Sequence, residues 1–137
     1  MKRYINTSLV YAILAMVGGV FYREFTKFNG FTGKTTLAVV HTHYFMLGML
    51  FFLLLLLLEK SFAFTTAKTR KALLTYQVGL NLTAVMMVVR GVVQVLGTEL
   101  SKGANAAISG IAGIGHIVLG VSLVMVLLQL KASVAER

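Results

Sequence analysis

Three histidines and one arginine lie inside stretches built otherwise almost entirely from Leu, Val, Ile, Ala, Gly, Met and Phe. His41 and His43 share one stretch, Arg90 lies in the next and His116 in the last. Imidazole ligates metal ions and iron, carries protons near neutral pH and pairs with carbonyl groups. Guanidinium binds carboxylates through two parallel hydrogen bonds. No Asp or Glu lies in these stretches, and the chain has no cysteine. Disulfides, thiolate metal sites and cysteine nucleophiles are therefore excluded. No nucleophile, base and carboxylate recur together, so hydrolytic chemistry has no support.

The elements that carry these residues follow from composition. Of 137 residues, 58% are hydrophobic and 12% charged, whereas in a soluble domain about a quarter are charged. A water-soluble protein this short has no core large enough for so much apolar surface. The sequence reads as an all-α integral membrane four-helix bundle, one domain over 1–137. Four apolar runs, about 4–22, 35–58, 72–97 and 106–130, are long enough to cross roughly 30 Å of hydrocarbon. With no proline, uninterrupted helices are expected. Met1-Lys2-Arg3 before an apolar run resembles the start of a signal peptide. No A-x-A site follows, so the run is expected to stay as a span.

The net charge of +9 sits in the connectors, which fits anionic headgroups of the lipid bilayer and not nucleic acid. With the N-terminus in the cytoplasm, the inner set of cations is Lys2, Arg3, Lys60, Lys68, Arg70, Lys71, Lys131 and Arg137. The outer set is Arg23, Lys27, Lys34 and Lys102. That bias predicts both termini inside, in a multi-pass protein of the bacterial cytoplasmic membrane.

At 1.5 Å per residue, His41 lies roughly 9 Å from the outer end of its run, Arg90 roughly 10 Å and His116 roughly 15 Å. All three costly groups thus fall in the outer half, where polar residues mark function by default. His41 and His43 diverge by about 200° on one helix, so they do not ligate one ion side by side. His41 shares a stripe with Tyr44 and Gly48. His116 shares one with Ser109, Gly113 and Gly120.

A histidine between glycines on a helix face offers either close helix packing or a slot for a planar group with imidazole as axial ligand. The second reading accounts for more residues. A haem b would take His116 with His41 or His43 as ligands. Arg90 would pair with one propionate, and Gln94, Arg23 or Lys34 with the other. Tyr44, Gly48, Gly113 and Gly120 would line the slot. Periodicity favours His41 as the partner of His116, because Gly48 lies on its stripe.

The segment His41-Thr42-His43-Tyr44, followed by Gly48 and Phe51-Phe52, resembles the His-x-His-Tyr stretch of the catalytic subunit of haem-copper oxidases. In that family the two histidines of one membrane helix point to opposite sides, each toward a different haem. The resemblance implies His41 for the high-spin-type position and His43 for the low-spin-type position. The NnrS family of haem- and copper-carrying membrane proteins has a similar helix. Copper-ligand histidines and the cross-linked tyrosine are absent, which argues against oxygen reduction to water. As a whole, the chain resembles an uncharacterised family of small four-helix bacterial membrane proteins.

The expected function is therefore haem binding in the membrane, for electron transfer, haem handling or gas binding, with a redox partner or a second copy of the chain as the expected associate. The alternatives are a Zn or Cu site made by His41, His43 and His116, a small transporter, and an accessory subunit without cofactor.

Overall fold

In a computed structural model, residues 1–135 are described; Arg137, one of the inner set of cations, lies outside them. The chain forms four helices: α1 (Lys2–Phe28), α2 (Leu37–Phe62), α3 (Ala67–Leu96) and α4 (Lys102–Ala135). Each is long and apolar enough to cross a membrane, and there is no strand among the described residues. Most helix ends outrun the apolar runs; at a single end the largest extension is that of α1, which takes in Arg23–Phe28. Those polar residues are good enough helix formers to extend a helix that has already started.

Short connectors make successive helices antiparallel, so both described chain ends and the α2–α3 loop share one end of the molecule. We call this the terminal end and the other the distal end. The terminal end is tied by hydroxyls. Glu59 Oε2 accepts from Thr65 N at 3.0 Å and from Thr65 Oγ1 at 2.7 Å, and the Tyr4 hydroxyl lies 2.6 Å from Thr65 Oγ1. Since Thr65 spends its proton on Glu59, Tyr4 is the donor to Thr65. Thr66 and Thr69 then cap α3 reciprocally, each side chain accepting from the other's backbone N–H at 3.2 Å. At the distal end α3 closes on Gly97, whose φ of 63° suits a residue without Cβ.

α2 is not uniform. Leu37–His43 and Phe51–Phe62 are α-helical, but Tyr44–Leu50 is a π-helix. The cause lies on its neighbours. The Tyr76 hydroxyl of α3 donates to Leu47 O at 2.8 Å, and Ser8 Oγ of α1 donates to Met49 O at 2.9 Å. Side chains that bond to ladder carbonyls from outside loosen the α pattern. The segment also passes close to α1: a Cβ on Gly48 would stand 2.5 Å from the Tyr11 ring.

Packing is uneven. α1 lies along α2, and α4 lies along α3, while α4 meets α2 through its Phe51–Phe62 half. The α3–α4 contact is the tightest. A Cβ on Gly79 would stand 2.5 Å from Leu119 N, and one on Gly115 would stand 2.8 Å from Thr83 Oγ1. Stacked rings of Tyr11, Phe51, Phe52 and Tyr76 fill the centre, with the Phe51 and Tyr76 centroids 4.5 Å apart.

Candidate functional site

The His-x-His turn of α2 is two-sided. His41 turns to α1, where Gly18 and Gly19 leave room for it: a Cβ on Gly19 would lie 3.7 Å from the imidazole. Its edge also meets Phe45, with centroids 6.5 Å apart at 88°. His41 Nδ1 is buried and has no hydrogen-bond partner. His43 lies on another face of the helix. It shares that face with Thr36, whose Oγ1 donates to Met87 O of α3 at 2.7 Å, so His43 is turned from α1 toward α3.

His116 lies one residue from Gly115 on α4 but outside the α3 contact. It is exposed, on the same flank as Leu123 and Leu130, which pack against the core nearer the terminal end. Contacts with α3 fix the relative heights of α2 and α4. Tyr44 donates to Asn81 Oδ1 at 3.1 Å, and Gly115 abuts Thr83. His43 lies beside Tyr44, which reaches Asn81, and His116 lies beside Gly115, which abuts Thr83, so both fall along the middle stretch of α3. Thr83 Oγ1 is itself buried without a hydrogen-bond partner.

Both histidines are held alike. Nδ1 of His43 lies 2.8 Å from Val39 O and Nδ1 of His116 lies 2.8 Å from Ala112 O. A carbonyl only accepts, so each Nδ1 carries the proton and each Nε2 keeps its lone pair. This is how metal-ligating imidazoles are commonly fixed in tautomer and orientation. His43 is half-buried and His116 exposed.

The remaining sequence candidates have other partners. Arg90 bridges α3 to α4, donating to Asn105 Oδ1, to Asn105 O at 3.2 Å and to Ser109 Oγ at 2.8 Å. Gln94 Oε1 accepts from Thr36 N at 2.8 Å and so caps the start of α2. Tyr44 is buried, its ring 5.6 Å from that of Tyr11. Gly48 is filled by Tyr11 and leaves no slot beside His41. A Cβ on Gly113 or on Gly120 would meet no atom within 4 Å, so both present bare backbone beside His116. Three metal-ligating side chains come together nowhere among the described residues.

A second polar feature contains no histidine. Between α1 and α3 runs a cleft of about 820 Å³, lined at the terminal end by Arg3, Asn6, Thr7, Arg70, Lys71 and Gln77. It continues past Val10 and Leu14 to Tyr11 and Asn81. Asn81 Nδ2 donates to the Tyr11 hydroxyl at 2.9 Å and to Gln77 O at 2.8 Å. Its sequence signal is the pair Asn6 and Gln77, polar residues within the first and third apolar runs.

Taken together, this is an all-helical protein, among its described residues, with four helices long and apolar enough to span a membrane. The chain belongs to the family described as protein of unknown function DUF2871, whose model matches residues 1–133. No curated protein and no solved structure matches it.

Proposed function

We propose that this is a four-span membrane protein with both termini in the cytoplasm that binds haem b, with His43 and His116 as its axial ligands. The observation that supports it is the matched setting of two imidazoles, one on α2 and one on α4, each with Nδ1 tied to a carbonyl of its own helix, which leaves Nε2 as the nitrogen to face a ligand. Iron in b-type haem takes such nitrogens. The bare backbone at Gly113 and Gly120 gives a flat porphyrin edge room beside His116.

When bound, the haem would supply one-electron redox chemistry or an iron site for a diatomic gas. The chain's own residues supply orientation and surroundings. Val39 O and Ala112 O hold the two rings in orientation. Arg90, committed to Asn105 and Ser109, sets the spacing of the third and fourth helices and is not free for a propionate. His41 serves a different role on the α1 side of its helix. The bare Zn or Cu alternative needs three ligands, which this geometry supports only across two copies of the chain.

The test is the absorption spectrum of protein purified in mild detergent from a haem-sufficient host, before and after dithionite. A Soret band with sharp α and β bands on reduction is expected. His43→Ala and His116→Ala should each abolish or reshape it, with partial rescue by added imidazole, and His41→Ala should leave it in place. Protein that is colourless and stays so on haemin titration would refute the reading.

A further inference from the structure

The cleft between α1 and α3 belongs to neither histidine and asks for a ligand of a different kind. At its terminal mouth stand Arg3, Arg70 and Lys71, opposed by the single carboxylate of Glu59. None of these three cationic side chains has a hydrogen bond or an ion pair with the described residues; the ion pair among the described residues, Arg23 with Glu24, is at the distal end. Glu59 accepts two hydrogen bonds from Thr65 and pairs with none of the three cations, so three cations facing this carboxylate leave the mouth net positive. Asn6 and Thr7 add side-chain donors without partners.

Deeper in, the character changes. The cleft passes Val10 and Leu14 to reach Asn81, and Val10 (53% exposed), Leu14 (37%) and Leu74 (64%) form its lips. Asn81 and Tyr11 at the far end already satisfy each other. The cleft thus has a cationic, donor-rich mouth, an apolar flank open sideways and a closed end. From Arg70 to Asn81 it follows α3 for roughly 16 Å at 1.5 Å per residue, which is the scale of the hydrocarbon of one lipid leaflet.

We propose that this cleft is a binding site for one anionic phospholipid of the cytoplasmic leaflet, with the phosphate between Arg3, Arg70 and Lys71 and an acyl chain along Val10, Leu14 and Leu74. Guanidinium and ammonium groups are the donors that recognise phosphate, and the sideways opening admits a ligand from the bilayer. A water-soluble phosphate would gain nothing from the apolar flank. The proposal rests on the membrane-spanning reading and on cytoplasmic termini, and is independent of haem.

The experiment is native mass spectrometry of the full chain in mild detergent, titrated with phosphatidylglycerol or phosphatidylcholine. Carbonate extraction of the source membranes comes first: release of the protein would refute the membrane reading itself, before any lipid is weighed. With the protein retained, phosphatidylglycerol should bind at one saturable site, well ahead of phosphatidylcholine. Each surface cation contributes on the order of a fivefold preference for an anionic lipid, so Arg70→Ala with Lys71→Ala should lose about 20- to 30-fold. Lys60→Ala with Lys68→Ala removes the same charge from the same end but outside the cleft, and should lose far less. Thr7→Phe fills the cleft without changing charge and should also expel the lipid. Equal loss in the two double variants would overturn the site in favour of a diffuse cationic surface. Competition by glycerol phosphate as strong as by the lipid would overturn it in favour of a free-anion site.

Discussion

Replacing Gly79 by alanine tests the α3–α4 contact directly. The added methyl would stand 2.5 Å from Leu119 N, 2.8 Å from Leu119 Cα and 3.1 Å from its Cβ. Two of those three atoms are backbone, so relief requires the helices to move apart along a seam that also includes Gly115 and Thr83. Overpacking of this kind costs about 1–3 kcal/mol, but alanine also returns about 1 kcal/mol of helix propensity. Gly120→Ala separates the two effects, because its methyl meets nothing within 4 Å. Gly120→Ala should therefore match or exceed the parent in stability. Gly79→Ala should fall below Gly120→Ala by about 1–3 kcal/mol, a ratio of roughly 5- to 150-fold in the unfolding constant. Reversible unfolding by SDS titration of detergent-solubilised protein, followed by circular dichroism, reads this difference. Equal midpoints for the two variants would refute the close approach of α4 to α3 at Leu119.

Four further outcomes follow from the same geometry. Arg90→Ala should lower the SDS midpoint through lost α3–α4 hydrogen bonds, and should leave the ligation state of any bound haem unchanged in its spectrum. Tyr76→Phe removes the donor to Leu47 O; hydrogen bonds inside membrane proteins average about 0.6 kcal/mol, and a loss of that size is expected by the same titration. Thr66→Ala breaks the reciprocal cap of α3 and should cost about 1 kcal/mol. Ala63→Gly should stabilise by up to about 1 kcal/mol, because Ala63 sits at φ 48° at the end of α2, where a Cβ is unfavourable; a drop in stability would contradict that backbone assignment.

Much of the architecture is legible in the residues. Four apolar runs separated by short polar connectors give four helices, because hydropathy and length alone decide that outcome. The surroundings of the histidines are not legible to the same degree. Periodicity groups His41 with Gly48 and suggests a slot, yet the space at Gly48 belongs to Tyr11, and only packing between helices reveals an occupant. Arg90 reads as a carboxylate partner, but Asn105 and Ser109 lie where its guanidinium reaches. The π-helix of Tyr44–Leu50 has no local signal at all, since the groups that produce it, Tyr76 and Ser8, are on other helices. Gln77 and Asn81 do stand out on one face of α3, but their meaning depends on Asn6 and Thr7 facing them from α1.

That π segment has a consequence for length variation along the chain. A π turn amounts to one extra residue carried inside an α-helix. Without it, the residues on either side would differ in phase by about 100° for each residue added or removed. Losing one residue between Tyr44 and Leu50 would let α2 close up as an ordinary α-helix while both halves keep their facing: the histidine half toward α1 and α3, and the leucine half toward its present neighbours. The same deletion in α3 or α4 would have no slack to absorb it and would turn Gly79 or Gly115 out of the seam. Relatives that are one residue shorter in this helix are therefore compatible with the same packing, and the segment is where such a change in length is to be sought.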